Sequence, residues 1–465
     1  MLKTVLKREL LHNLYSFRFL VSLALLIAVF VAGSLSFVKG HALALEKFRE
    51  GQAQSVEDLK KDAASSATEV AVTRRTFSLR PRDNAFIAGA KEHYLPNAVT
   101  LSAWSVFSFQ NKTGSANPFL KKFDELDWSF IAAVVASFVA LMFTFDAVSG
   151  EKEAKTLALS LANPVPRSTL LLGKYVSATL SVMSILLAGM LVSLLIVLLL
   201  GRAGLPAALA AEAAGFLAAA GLLIAAFAAF GLFASVVAPN SNVSLLLALS
   251  FWLAFVIIIP NSSTFVAKSL FPIETSESVQ KEVDAAFSDL DKSAPPGSWM
   301  MNSGNPFLPQ HKLRAELQMK RLEAEKAIRE DYSQAMFRQL ERTRLVTALS
   351  PVSLFEYMSE AAVGSGYLRF RKAWSDAHVY QSQLLGFFLA LDAADKDSPH
   401  WLNPSENIST TRKPVAFDQV PRFDDVRLSF ADRMAPNLKY VIIGVFYSCA
   451  VFLLTYVLFV RYDVR

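Results

Sequence analysis

Apolar residues in this 465-residue chain are bunched rather than spread. Strongly apolar runs without charged residues cover Phe19 to Val38, Trp128 to Phe145 and Tyr175 to Gly201. A fourth run, broken only by neutral polar residues, covers Ala213 to Ala267, and a fifth covers Tyr440 to Val460. A helix needs about 20 apolar residues to cross a hydrocarbon core. The fourth run is long enough for two helices, and Pro239-Asn240-Ser241-Asn242 supplies the break between them. The pattern predicts six spans, near 19–38, 128–146, 175–200, 208–238, 243–260 and 439–460.

The polar stretches carry helical patterns of their own. Leu2, Val5, Leu6, Leu10 and Leu14 repeat at helical spacing, with Lys3, Lys7, Arg8 and Asn13 elsewhere around the wheel. Such a helix lies in a membrane interface with its basic face toward headgroups, or simply starts the first span. Residues 41–64 read as a polar helix, and Leu79 to Phe119 as a mixed segment with aromatic and β-branched residues between prolines and glycines. Gln310 to Leu349 has no Gly or Pro. Within it, Leu313, Leu317, Ala324, Ile328, Tyr332, Met336 and Leu340 fall on one slowly drifting stripe. A helix of that length reaches about 60 Å. Ser350-Pro351 ends it, and Val352 to Ala394 reads as a second helix folding back as a hairpin. Pro399 to Pro436 is loop- and strand-like.

Composition fits this pattern: 53% of residues are hydrophobic and only 18% charged, against roughly a quarter charged in soluble proteins. Charge also sets an orientation. Lys3, Lys7, Arg8 and Arg18 precede the first span, and Lys152, Lys155, Arg167 and Lys174 lie between spans two and three. Arg461 and Arg465 follow the last span. The positive-inside bias puts all of these in the cytoplasm. The fold class expected is an α-helical polytopic membrane protein with six transmembrane helices, an N-terminal interfacial helix and two extracytoplasmic domains, the second largely helical. The predicted divisions are 1–16 for the interfacial helix, 17–38 for the first transmembrane helix and 39–127 for the first extracytoplasmic domain. Transmembrane helices two to five occupy 128–260 and enclose a cytoplasmic loop at 146–174. The second extracytoplasmic domain covers 261–438, and 439–465 holds the last transmembrane helix and a cytoplasmic tail. The first span is read as an uncleaved anchor, because no small-residue cleavage site follows it.

The chemical inventory is mostly negative. No Gly-x-x-x-x-Gly-Lys-Ser/Thr phosphate loop exists. The nearest run, Gly150-Glu-Lys-Glu-Ala-Lys155-Thr156, lacks the second glycine and puts two glutamates where phosphates would sit. The chain is therefore not expected to hydrolyse ATP on its own. There is no His-Glu-x-x-His, and His12, His41, His93, His311, His378 and His400 show no ligand spacing, so neither a bound metal nor another cofactor is expected. Apart from Asp146 and Lys439 at the very ends of their spans, only Glu212 is charged within the predicted spans, and it too lies near one end. That argues against ion-coupled carriers and intramembrane hydrolases, which depend on buried ionisable groups. Cys449, the single cysteine, lies in the last span, so the outer domains hold no disulfide. Three glycosylation sequons, beginning at Asn111, Asn261 and Asn407, are short enough to arise by chance.

The loop at 146–174 carries the most information. It is short, charged and proline-marked, and both its ends are held at the membrane. Asp146, Gly150, Glu151, Lys152, Glu153, Thr156 and Leu157, then Pro164, Val165 and Arg167, then Leu172, Gly173 and Lys174 resemble a run in type-2 exporter permeases of the ATP-binding-cassette (ABC) superfamily. Lys155 stands where that pattern has glycine. Leu95-Pro96-Asn97-Ala98-Val99, Asn117-Pro118 and Leu126-Asp127-Trp128 are similar to a subgroup with large outer insertions. The resemblance implies two permease halves, identical or paired with a sister subunit, and a separate cytoplasmic ATPase that binds ATP and Mg. It implies that Gly150, Glu151, Lys152, Glu153, Thr156, Leu157, Pro164, Arg167 and Lys174 couple to that ATPase. Glu151 and Glu153 are expected to make polar contacts, and Leu157, with Leu159 and Leu161, apolar ones. The expected setting is a bacterial inner membrane with both termini cytoplasmic, an extracytoplasmic protein partner as an option, and no nucleic acid. Two rivals stay open: a non-transporting machine delivering ATP work to envelope partners, and a receptor or scaffold without an ATPase.

Overall fold

The computed structural model describes residues 2–89, 95–110, 126–162, 165–201, 208–296, 298, 309–401 and 411–462. It is mostly helical. Helix α1 (Leu2–Leu14) ends at a turn, and Ser16 then caps α2, its hydroxyl accepting from the Phe19 amide at 3.2 Å. Helix α2 runs unbroken from Phe17 to Ser65, 49 residues, so the first span and the polar helix predicted at 41–64 are one rod. No glycine–proline pair or capping side chain interrupts it, and Gly40 and Gly51 lie on open sides of the helix.

Short helices α3 (Ala67–Val72) and α4 (Ala85–Ala88) accompany strands β1 (Arg75–Ser78), β2 (Ala98–Leu101) and β3 (Ser108–Gln110). These strands form an antiparallel sheet in the order β1-β2-β3, with Thr76 opposite Thr100. The sheet is where the sequence pattern was mixed: β-branched and aromatic residues between turn formers suit short half-buried strands.

Helix α5 (Trp128–Met142) is the second apolar run. It is shorter than the predicted 128–146, because the chain leaves helix at Phe143, and residues 131–136 form a π-helical turn. Fifteen helical residues extend about 22 Å, less than a hydrocarbon core of about 30 Å. After the short helices α6 (Ser149–Glu153) and α7 (Leu157–Ala162) come α8 (Arg167–Leu200), α9 (Leu209–Val237) and α10 (Ser241–Asn261). Helices α11 (Ser263–Leu270), α12 (Ser276–Lys292), α13 (Pro309–Thr347), α14 (Pro351–Val363) and α15 (Gly366–Ala394) follow. Last come α16 (Phe430–Met434) and α17 (Leu438–Arg461). Five described segments are long and apolar enough to cross a membrane: α2, α8, α9, α10 and the stretch 430–461.

Helix α5 is nonetheless central to the bundle. Trp128 donates from Nε1 to Ser193 Oγ at 2.7 Å, and Ser34 donates to the same oxygen at 2.6 Å, tying α5, α8 and α2 together. Phe30, Phe86 and Phe216 all pack against the Trp128 ring.

The predicted helix over Val352 to Ala394 is two helices with different surroundings. Gly364 and Gly366 have φ of +74° and +60°, a conformation that ends α14 and restarts the chain as α15. Twelve of the thirteen residues of α14 are buried, Glu356 being the exception. They join the core of the membrane bundle, with Phe355 against Phe216 and Tyr357 against Tyr440. Leu354 and Phe355 therefore do not pack on α13, as a self-contained hairpin would require.

Helix α15 instead shares a core with the first insertion. Trp104 meets Phe388, Phe77 meets Tyr380, and the Gln381 amide donates to the Ser102 and Ser105 carbonyls. Backbone bonds from Ala67 to Lys413 and from Val415 to Ala63 complete the joint. The two insertions thus form one packed unit. In α13, Phe337 faces inward, meeting Phe370 and Trp374; of the predicted stripe, Leu317 is buried whereas Met336 and Leu340 are exposed.

Candidate functional site

The loop between α5 and α8 has an inner and an outer side. Its inner side is bonded to most of the helices around it. Arg18, the second residue of α2, donates to both oxygens of Asp146, at 3.0 and 2.6 Å, and its guanidinium lies over the Phe145 ring. The Ser235 hydroxyl of α9 accepts the Val148 and Ser149 amides at 2.8 and 2.9 Å, and Ser149 Oγ donates to the Phe145 carbonyl. The Ser241 amide, at the start of α10, donates to Glu153 Oε2 at 3.3 Å.

Lys174 of α8 is the most buried of the loop's cations, 9% exposed, and lies between two carboxylates. Its Nζ is 2.7 Å from Glu151 and 3.5 Å from Glu9 of α1. Immediately before it in sequence, Gly173 faces α1 closely. A Cβ there would come within 2.7 Å of Val5, so glycine is what lets the interfacial helix seat against α8. Asn13 adds a 3.4 Å bond to Ser177.

Lys152 and Arg167 act on helix ends. Lys152 donates to the carbonyls of Val236 and Ala238 at the C-terminus of α9, and lies over the Tyr462 ring. Burial lowers its pKa from the usual lysine value. Arg167 donates to the carbonyls of Val460 and Tyr462 at 2.9 and 3.0 Å, capping α17. Cations at helix C-termini meet unsatisfied carbonyls and the negative end of the dipole.

Leu157, expected to reach outward, is only 3% exposed and packs with Val148, Leu171, Leu232, Val236 and Phe459. Leu159, by contrast, is 73% exposed. Just before both leucines the backbone closes α6 with a left-handed residue, Lys155, at φ +56°. The Thr156 amide donates to Glu151 O and the Lys155 amide to Lys152 O, the bonding pattern of a Schellman C-cap. The glycine of the family pattern is the residue such a cap favours; here lysine makes the same turn. Glu153, Ala154, Lys155, Thr156, Ala158 and Leu159 are the exposed tip. Pro164 lies outside the described residues, and nothing is described of the Leu161 side chain.

A polar cleft of about 370 Å³ opens beside the loop, lined by Glu9, His12, Asn13, Arg18, Asp146, Glu151, Thr156 and Lys174. Sequence reasoning missed Glu9 and Arg18 as partners of the loop. The available signal was charge: each is an ionic residue on the same predicted membrane face as an opposite charge in the loop. Among the described residues, no group of three or more His, Cys, Asp or Glu is placed to hold a metal ion. His378 and His400 bond to separate carboxylates, Glu330 and Asp392.

Apolar helices, a buried core running through them and a polar loop bonded across one end define a polytopic helical membrane protein. The family model described as ABC-2 family transporter protein matches residues 3–464, and the chain belongs to that family. No curated protein matches it. Members are permease components, generally non-catalytic, that partner a cytoplasmic ABC ATPase.

Proposed function

We propose that this chain is the membrane half of an ATP-driven machine in which a separate cytoplasmic ATPase, holding ATP and Mg, docks on the tip at Glu153–Leu159. One observation carries the reading. The tip is exposed on one side, while the same short loop is bonded on its other side to α1, α2, α8, α9, α10 and α17. A push on the tip is then shared by all of these helices, with no chemistry needed in the loop itself. On this reading α5 and its following turn make a sixth crossing. Both termini are cytoplasmic, the insertions are extracytoplasmic in a bacterial inner membrane, and two permease copies, identical or paired, complete the unit. Cysteines at Ser65 and Ser288 should label with an impermeant reagent in spheroplasts, and one at Lys155 should not.

Export is one output. Work on an extracytoplasmic partner is the other, and the continuity of α2 into the shared outer core favours it, since motion at Arg18 is carried along one rod to Leu59 and Ala63. The test for both is co-purification and ATP turnover of Glu153→Lys/Leu159→Ala beside the parent. The pair should remain folded and inserted but lose its ATPase or its control over turnover. Parental levels of both would defeat the reading and leave a receptor or scaffold.

A further inference from the structure

We propose that the base of α13 and the adjoining α11 form a belt that binds phospholipid headgroups through Lys268, Arg338 and Arg342, in the leaflet that faces the insertions. Three hydrogen bonds set the position of this region against α10 and α11. Ser350, just past α13, donates to the Phe255 carbonyl, which lies in a π-helical turn of α10. Such a turn interrupts the regular bonding pattern and leaves a carbonyl to be met from outside. Above it, the Gln339 amide donates to the Ala267 and Phe271 carbonyls, at 3.3 and 2.7 Å. Residues 339 and 350 are thus matched to 267 and 255, so α13 runs antiparallel beside α10 and α11.

The apolar run of α10 stops at Pro260-Asn261. At 1.5 Å per residue, Ser350 lies about 9 Å inside that limit, while Arg342 and Arg338 lie about 3 and 9 Å outside it. One exposed face of α13 changes character across the same boundary. Arg338 and Arg342 are exposed on the polar side. Leu345 and Leu349 continue that face on the apolar side, 52% and 64% exposed. Beside them α11 exposes Phe265 and Leu270, with Lys268 between. Exposed leucines at hydrocarbon depth with cations one turn above match an acyl chain below and a phosphate above. No ion pair of Lys268, Arg338 or Arg342 is found among the described residues. Glu341, the intervening carboxylate, is taken by Arg371. The occupant is therefore a phospholipid, and this rests on the position of α10 in the membrane, not on the ATPase.

The test uses the full-length protein with Cys449→Ser, reconstituted in phosphatidylcholine–phosphatidylglycerol vesicles. Single cysteines replacing Leu345, Leu349 or Asp331 carry a fluorophore. Nitroxide-bearing lipid should quench at Leu345 and Leu349 and iodide should not, with the reverse at Asp331. Phosphatidylglycerol retained through purification should fall about fivefold for each cation removed in Arg338→Gln/Arg342→Gln, and persist in Arg338→Lys/Arg342→Lys. Three results would each overturn the proposal. These are iodide reaching all three labels alike, disulfide-linked dimers through Leu345→Cys or Leu349→Cys that exclude both quenchers, and unchanged lipid retention in the double glutamine variant.

Discussion

Glu212 of α9 and Arg433 of α16, 221 residues apart, form an ion pair of 3.0 Å with neither side chain more than 6% exposed. Asn84 of the first insertion donates to the other Glu212 oxygen at 2.6 Å and to the Val363 carbonyl at 3.3 Å. The Arg433 guanidinium also fills the space beside Gly364, where a Cβ would come within 2.3 Å of it. A second buried pair, Arg344 with Glu360, flanks Gly366 in the same way. The junction between the membrane bundle and the unit formed by the two insertions is thus a pair of glycine turns, each closed by a buried charge.

Breaking one partner of such a pair leaves the other charged and dry, which costs about 3–5 kcal/mol. Glu212→Gln or Arg433→Met should lower the thermal midpoint of the purified protein strongly. The double variant Glu212→Met/Arg433→Leu should recover most of the loss. Equal destabilisation by single and double variants would show that shape, not charge, holds the joint.

Leu157→Ala and Leu159→Ala separate packing from contact. The buried Leu157 should cost about 2–5 kcal/mol of stability on truncation, visible as loosened proteolytic protection of 148–175. Leu159→Ala should leave that protection at the parental level, within about 0.5 kcal/mol for an exposed site. Matching protection patterns in the two variants would contradict the burial that distinguishes them.

Lys155→Gly removes a left-handed non-glycine residue from the C-cap of α6. Left-handed backbone costs an L-residue roughly 1–2 kcal/mol, partly offset by the extra freedom glycine brings to the unfolded chain. Slower amide exchange at Thr156, whose N–H closes the cap, is the expected outcome. Faster exchange there would mean that the lysine side chain stabilises the turn.

Asp395 ties down the segment after α15. Bonds from Lys413 and Thr411 hold its pKa down to about 2. The sign follows from which state binds protons more readily: the unfolded segment protonates first as pH falls. This carboxylate's contribution is fully present above about pH 4 and is lost as pH approaches 2. Amide exchange at Thr411, measured from pH 5 to pH 2 with correction for intrinsic rates, should rise over that interval in the parent. In Asp395→Asn it should be fast and without the step.

The sequence by itself determined the helical rods, the apolar runs and the loop. Each depends on local rules: about 20 apolar residues to span a bilayer, caps at Ser16 and Ser350, and an unbroken helical pattern in α13. The loop motif also lay in the sequence, because its residues are contiguous. Tertiary structure alone decided which of them face inward. Leu157 and Leu159 are the same residue type two positions apart, and only the packing of α8, α9 and α17 around the first distinguishes them. The pairing of Arg18 with Asp146 and of Glu212 with Arg433 likewise joins residues more than a hundred positions apart. The same holds for α14, whose sequence reads as part of a polar domain. It is buried because α9 and α17 leave a groove that its apolar side chains fill, and no local pattern encodes a groove made by other helices.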